Sequence, residues 1–147
     1  MSALPLHEFN AKFASYRDIL REEVLRFRED VYVYRQIQER KNDSLAVLNM
    51  APAFFNIIER ALFSSIIIWA DKLFDEKGQR GLFDFLTFIE YNRKWLTTKQ
   101  LQVRKQYPDG HWMLRDRISL TMKIIAGHRK RIRELASLES FKILRDK

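Results

Sequence analysis

The feature of this sequence that most constrains its fold is a long helical repeat close to the N-terminus. Apolar side chains recur every three or four residues between Leu6 and Arg40, which places them on one face of a helix. These side chains are Phe13, Tyr16, Leu20, Val24, Phe27, Val31 and Tyr34. Since only four Gly and three Pro occur in 147 residues, and strand-like alternation is nearly absent, the sequence predicts an all-α fold.

A second helical region is predicted after a turn at Lys41-Asn42-Asp43, where Asn or Asp offers an N-cap. This region meets Pro52, and proline lacks the amide that a helix interior needs, so we expect a kink or a restart with Pro52 in the first turn. The segment from Ala53 to Glu76 is apolar almost all round. This composition predicts a helix at the centre of the core.

Shorter elements are predicted to follow. A helix is expected from about Leu82 to Trp95, and Thr97 or Thr98 is expected to cap another through Arg104. The run Tyr107-Pro108-Asp109-Gly110 predicts a turn, because proline sets φ and glycine accepts a left-handed conformation.

The C-terminal third predicts a long amphipathic helix from Trp112 to about Ala136, with Ser137 able to start a last helix. The predicted inward stripe consists of Leu114, Ile118, Thr121, Ile125, His128, Ile132 and Leu135. The whole chain, residues 1–147, is therefore expected to be one domain. Its predicted architecture is an up-and-down helical bundle of four main helices plus one or two short helices.

Charge is unevenly distributed along the chain. Residues 1–91 carry 12 Lys/Arg against 14 Asp/Glu, whereas residues 92–147 carry 15 against 5, a net charge of +10. Clustered positive charge attracts phosphate backbones, although a solvated helix face is the plain alternative. We predict nucleic-acid contact in this half. The predicted binding residues are Lys123, Arg129, Lys130, Arg131, Arg133 and Lys147.

Several classes of site are not supported by the residue types present. Without cysteine, neither disulfides nor thiolate metal sites can form, and the histidines His7, His111 and His128 have no recognised ligand spacing. We therefore expect no metal and no cofactor. His128 on the apolar stripe is interpreted as a core or edge residue. The acid pair Asp71 and Asp75 is interpreted as solvated or paired with nearby lysines.

The predicted location is the cytoplasm. The N-terminus shows no signal peptide. The most apolar segment, Ile66 to Trp69, is flanked by charged residues that leave too short an uncharged run to span a membrane. We therefore expect a buried helix and no membrane partner.

The last residues carry a resemblance to a known family. The segment from Ser137 to Lys147, which ends in Phe141-Lys142-Ile143-Leu144-Arg145-Asp146-Lys147, looks like the start of the signature of the HEPN superfamily. This signature has an arginine, a polar residue, three to five further residues and a histidine on the last long helix. Arg145 matches the arginine and Asp146 the polar residue. The region from Phe54 to Asp75 is similar to the second helix of the abortive-infection, toxin-like branch.

The resemblance implies a metal-independent endoribonuclease whose two subunits face their signatures across a homodimer interface. Arg145 would stabilise charge on the scissile phosphate, Asp146 would orient the reacting groups, and the histidine would transfer the proton. The 147 residues end within the motif, before this histidine, so we expect this chain to bind RNA and to cut it poorly.

Two non-catalytic alternatives remain open. In the first, the chain is a helical module that pairs with a cognate antitoxin or nucleotidyltransferase, as HEPN relatives do. In the second, it is a helical bundle that binds nucleic acid through its basic residues without any chemistry.

Overall fold

The computed structural model describes residues 3–41 and 49–136 of the chain. Within these ranges it contains α-helices and no strand, so the predicted all-α bundle is confirmed. The helices are α1 (Leu6–Arg40), α2 (Pro52–Phe74), α3 (Leu82–Tyr91), α4 (Thr98–Lys105), α5 (Trp112–Arg115) and α6 (Met122–Ala136), with a short 3₁₀ helix at Arg93–Trp95. The predicted cap at Asn42 or Asp43 and the predicted helix from Ser137 lie outside the described residues.

Helices α1 and α2 form an antiparallel pair. The amide of Gln38, near the end of α1, donates to the Glu59 carboxylate near the start of α2 over 2.5 Å. At the other end of α2, the Lys72 ammonium lies 2.6 Å from the Glu23 carboxylate. Both helices have nearly the predicted bounds, and Pro52 occupies the first turn of α2, where its missing amide costs nothing.

The predicted central position of α2 is wrong, because only one face of this helix is covered. Ile66 and Leu73 are buried, whereas Phe54, Ile57 and Ile68 on the opposite face are 59%, 66% and 64% exposed. By length and composition α2 could cross a membrane, a test that core helices of soluble proteins also pass, and 11% of its apolar window is buried. Helix α2 therefore has more apolar surface than the rest of the described fold buries.

The core lies where α3 packs against α1 and α6. Leu86 and Ile89 of α3 are buried with Ile125 of α6. On the α1 side, the Phe9 ring stacks on the Phe88 ring with centroids 5.6 Å apart and an interplanar angle of 9°. The phenylalanines thus supply much of the helix contact, as their abundance in the sequence indicates.

The turn that leads into α3 depends on a glycine. A Cβ atom on Gly81 would lie 2.8 Å from the backbone carbonyl oxygen of Lys72 and 3.3 Å from that of Leu73. Because those carbonyls belong to the last turn of α2, they cannot move aside without distorting the helix. Gly81 therefore allows α3 to begin directly against the end of α2.

The predicted continuous helix from Trp112 to Ala136 is wrong. The chain is helical only over α5, then runs without helix through residues 117–121 before α6 begins. The backbone N–H of Leu120 donates to the carbonyl of Leu96 over 3.3 Å, and the Ser119 hydroxyl accepts from the N–H of Thr98 over 3.1 Å. These long-range hydrogen bonds replace the local helical ones, and Ile118, predicted to face inward, is 81% exposed.

Tyr16 gives the fold a measurable dependence on high pH. Two effects raise the pKa of Tyr16 from 10.0 to about 12. Burial of the side chain is the larger, and a 2.7 Å hydrogen bond to the Asp84 carboxylate is the next. Because the folded-state pKa lies above the unfolded one, the stabilisation is complete below pH about 10 and is lost as the pH rises through about 12.

We therefore expect that the Tyr16→Phe variant loses less stability than the wild type between these pH values. Urea unfolding at a series of pH values measures this difference. Tyr32→Phe is the control, since Tyr32 is 64% exposed. Parallel pH profiles for wild type and Tyr16→Phe would contradict the prediction.

Candidate nucleic-acid interface

Helix α6 carries most of the predicted nucleic-acid contacts, and its inner face determines which of them can act. Ile125 is 1% exposed, and Ile124 and Ile132 are half-buried, so these three side chains anchor the helix. His128 is exposed, so its predicted place on the inner stripe is wrong. The covered face of α6 passes through Ile125, Arg129 and Ile132, and His128 lies beside that face.

Arg129 faces the bundle and is held by α3. Its guanidinium lies 2.7 Å from the Glu90 carboxylate and donates to the Thr87 hydroxyl over 2.9 Å. The Arg129 and Glu90 side chains are only 28% and 26% exposed, so the pair is partly shielded from water. Arg129 is therefore engaged in joining α6 to α3, and replacing it would disturb the fold.

Arg133, one turn further along α6, makes a second link. Its Nε lies 2.6 Å from the Glu76 carboxylate, just beyond the end of α2, and its guanidinium carbon lies 5.8 Å from the centre of the Phe83 ring. The hydrogen bond to Glu76 raises the pKa of Arg133. This contact is more exposed than that of Arg129, so water and salt weaken it.

The other three predicted residues on α6 point away from the bundle. Lys123 and Arg131 are exposed, and within the described part of the chain neither has an acidic partner. Lys130 is also exposed, and its Nζ lies 3.8 Å from the Glu134 carboxylate, at the loose end of the ion-pair range. We call Lys123, Lys130 and Arg131 the basic face of α6. Its charges are available to an anionic partner.

Arg145, Asp146 and Lys147 lie outside the described residues. Their predicted roles stay predictions.

Most acidic side chains among the described residues take part in hydrogen bonds or ion pairs within the chain. Asp75 accepts a hydrogen bond from the backbone N–H of Lys77 over 2.9 Å. Lys72, a suggested partner of the pair Asp71 and Asp75, instead contacts Glu23 on α1. In the part of the chain that the structure describes, no three His, Asp or Glu side chains converge to hold a metal ion.

The sequence interpretation missed two buried polar residues. Glu23 is 6% exposed, and its Oε2 atom has no hydrogen-bond partner among residues 3–41 and 49–136. Asn92 is 3% exposed, accepts from the backbone N–H of Leu4 and donates to the carbonyl of Phe88, each over 2.9 Å. Glu23 lies between Leu20 and Phe27 on the apolar repeat of α1. Its place in that repeat is the sequence feature that could have predicted its burial.

A bundle with a basic final described helix is the class of fold expected from the HEPN resemblance. The comparison with protein families supports the same class, since the HEPN_AbiU2 model, described as AbiU2, matches residues 10–147. The chain therefore belongs to the HEPN_AbiU2 family, in the abortive-infection branch of the HEPN superfamily. No curated protein and no solved structure matches it.

Proposed function

We propose that this protein is a cytoplasmic, RNA-acting domain of a prokaryotic defence or toxin-antitoxin system, built as a metal-independent endoribonuclease. The observation that carries the proposal is the family match over residues 10–147, which includes Arg145 and Asp146. The basic face of α6 supports it, because it offers positive charge on the helix that precedes those residues.

The proposed chemistry uses charge and proton transfer without a metal. The Arg145 guanidinium stabilises the negative charge that develops on the scissile phosphate. Asp146 orients the reacting groups. Attack by the ribose 2′-hydroxyl also requires a group that accepts its proton, the role that the family resemblance assigns to a histidine. This chemistry predicts weak cleavage by any form of the protein that lacks such a histidine.

Cleavage of a fluorescent generic RNA in EDTA tests this assignment. We compare the chain with a version extended beyond Lys147 by a short helical segment that carries a histidine. The extended version is expected to cut faster, on the order of a hundredfold, since general acid–base catalysis contributes at least that much. Arg145→Ala should abolish this gain, whereas Lys142→Ala, which removes a nearby charge of the same sign, should not.

Two results would count against the assignment. Strong, EDTA-resistant cleavage by the unextended chain would show that no added histidine is needed. Equal rates for the extended chain and its Arg145→Ala variant would remove the arginine from the mechanism.

RNA binding is proposed to use the basic face of α6. Replacing Lys123, Lys130 and Arg131 together by Ser is expected to weaken RNA binding and to lower its dependence on salt, by about 0.7 in log–log slope for each lost phosphate contact. Arg129 is left unchanged, because it joins α6 to α3. Binding is measured by fluorescence anisotropy at several salt concentrations.

The control for this triple variant removes the same charge from α1. Lys12, Arg28 and Arg35 are exposed on that helix, and their replacement by Ser is expected to leave RNA binding nearly unchanged. If both triple variants weaken binding equally, net charge and not the basic face determines the affinity.

A homodimer is part of the proposal, and the outer face of α2 is the surface that supports it. Phe54, Ile57 and Ile68 on this face are exposed, with Ala61 and Ser64 between them. Their spacing is that of a helix seam, and small residues in the middle allow a second helix to approach closely. Burying such a stripe against a second copy would remove apolar area from water.

Light scattering at micromolar concentration tests the dimer. The wild type is expected to have the mass of two chains, and Ile57→Glu the mass of one, because a buried, unpaired carboxylate destabilises the interface. Ile118→Glu is the control, since Ile118 is exposed outside α2. A monomeric wild type, or capture of the wild type by lipid vesicles through α2, would contradict the dimer.

A pairing with a cognate antitoxin or nucleotidyltransferase is the second candidate, favoured by the same exposed face of α2. Under this alternative the chain alone is monomeric. A partner protein would then bind the wild type and not Ile57→Glu.

A further inference from the structure

The chain between α3 and α6 leaves the bundle and returns to nearly the same place. Leu96 and Leu120 are joined by a backbone hydrogen bond, and the Thr98 hydroxyl donates to the carbonyl of Arg117 over 3.3 Å. Between these closed ends, residues 98–119 contain α4 and α5 and no buried residue. We call residues 98–119 the basic loop. It contributes little to the core, so its side chains are available for another role.

The far end of the basic loop carries three aromatic rings in succession. The rings of Tyr107 and His111 are stacked, with centroids 4.3 Å apart and an interplanar angle of 2°. The Trp112 ring lies 5.8 Å from the His111 ring at 30°, and Trp112 is 69% exposed. We call Tyr107, His111 and Trp112 the aromatic platform. An exposed tryptophan beside a stacked pair offers a flat apolar surface to solvent.

Backbone geometry holds the platform in position. Gln106 ends α4 in a left-handed conformation, and Gly110 has φ +73°, as the predicted turn requires. The His111 Nδ1 atom accepts a hydrogen bond from the backbone N–H of Met113 over 3.2 Å. This hydrogen bond fixes the orientation of the His111 ring. The backbone conformation of the turn and this hydrogen bond therefore fix the positions of the platform's rings.

The loop that carries the platform is rich in positive charge. The basic loop carries Lys99, Arg104, Lys105, Arg115 and Arg117 against only Asp109 and Asp116. Asp109 accepts a hydrogen bond from the Gln102 amide over 2.7 Å. Among the described residues, none of the five basic side chains has an ion-pair partner. Aromatic rings among unpaired Arg and Lys are the combination that binds single-stranded nucleic acid, through base stacking and phosphate contacts.

We propose that the aromatic platform is a second RNA-binding site, at which an unpaired base stacks on Trp112 while the basic residues of the loop contact the phosphates. This inference rests on the proposed function, since it takes RNA as the occupant. A second copy of the loop is a poor occupant because its charge has the same sign. In a duplex the faces of the bases are stacked on the neighbouring base pairs, so the site selects single-stranded segments over duplex.

Anisotropy with a labelled single-stranded RNA and a labelled hairpin tests the site. The two strands of the hairpin are joined by a short non-nucleotide linker, so that all of its bases are paired. Trp112→Ala is expected to weaken single-strand binding about tenfold or more, because that is the range for loss of one base–aromatic stack. Trp112→Phe should retain most of the affinity, and hairpin binding should change little. The salt dependence should stay the same, since Trp112 carries no charge. Ile118→Ala is the matched control on the same loop.

The outcomes separate this inference from the proposed function. If Trp112→Ala binds single strands like the wild type, while the triple variant of the basic face loses binding, the platform is overturned and the proposed RNA binding stands. Equal loss for single strand and hairpin would overturn base stacking. If the wild type binds neither RNA, both proposals fail. Binding of an acidic peptide through Trp112, with no RNA competition, would also overturn the platform.

Discussion

The Ile125→Ala variant is expected to lower the free energy of unfolding by about 2–4 kcal/mol, the range for removing a buried isoleucine side chain and leaving a cavity. Ile125 is 1% exposed and forms the buried cluster with Leu86 and Ile89 of α3. Half-buried side chains from the same two helices and from three other parts of the chain surround this cluster, so its walls cannot collapse freely. The half-buried residues are Phe13, Phe85, Phe88, Leu96, Leu120 and Ile132.

This substitution also bears on function, because Ile125 anchors the helix that carries the basic face. Loss of the anchor loosens α6, while the ion pair between Arg129 and Glu90 still links it to α3. We therefore expect the folded molecules of this variant to keep most of their RNA affinity, although their free energy of unfolding is lower. Urea unfolding followed by circular dichroism measures the first quantity, and anisotropy below the unfolding transition measures the second.

The control for Ile125→Ala is Ile118→Ala. The same atoms are removed, but Ile118 is 81% exposed, so the change in stability should stay within about 0.5 kcal/mol. Similar losses for the two variants would mean that Ile125 does not lie in the core.

The second large effect is expected at the contact between Glu23 and Lys72. Lys72→Met should lower the free energy of unfolding by about 2–3 kcal/mol, because it leaves a buried carboxylate without its positive partner. The Glu23 side chain is only 8% exposed and its Oε1 atom lies 2.6 Å from the Lys72 Nζ atom. In the described part of the chain its Oε2 atom has no hydrogen-bond partner, so no contact there replaces the ammonium.

The partner substitution should behave differently. Glu23→Leu removes the buried carboxylate together with its unsatisfied oxygen, and the ammonium left behind is 43% exposed and reaches water. A leucine at this position continues the apolar face between Leu20 and Phe27. We therefore expect Glu23→Leu to change stability by less than about 1 kcal/mol, since replacing a buried ion pair by apolar groups is often neutral.

A double-mutant cycle measures the coupling between the two residues. In the Glu23→Leu background, Lys72→Met should cost much less than it does alone. Lys77→Met is the control, because Lys77 is exposed and forms no ion pair among the described residues. A Lys72→Met variant as stable as Lys77→Met would contradict the assigned role of this contact.

The candidate site was only partly predictable from the sequence. The clustering of basic residues on α6 was evident from composition and period, but their division into two groups was not. Arg129 and Arg133 contact Glu90 and Glu76, which are 39 and 57 residues away in sequence. Which arginine meets an acid depends on how α6 is rotated against α3, and the register of one helix does not contain that information.

The sequence by itself determined the features that arise from local chemistry. The long repeat predicted α1, Pro52 marked the start of α2, Thr97 caps α4 through a 3.2 Å hydrogen bond, and Gly110 takes the left-handed conformation of the predicted turn. In each case the deciding interaction lies within a few residues along the chain, where backbone sterics and capping act.

The tertiary structure alone decided which apolar and charged faces meet. It ended the predicted helix after Arg115. The Leu120 N–H donates to Leu96 and the Ser119 hydroxyl accepts from Thr98, and these hydrogen bonds replaced the helical ones. It also left the outer face of α2 exposed and placed Glu23 inside. These outcomes depend on contacts between residues far apart in sequence, whose free energies exceed local helix propensity. Hydrophobic periodicity alone cannot assign those contacts.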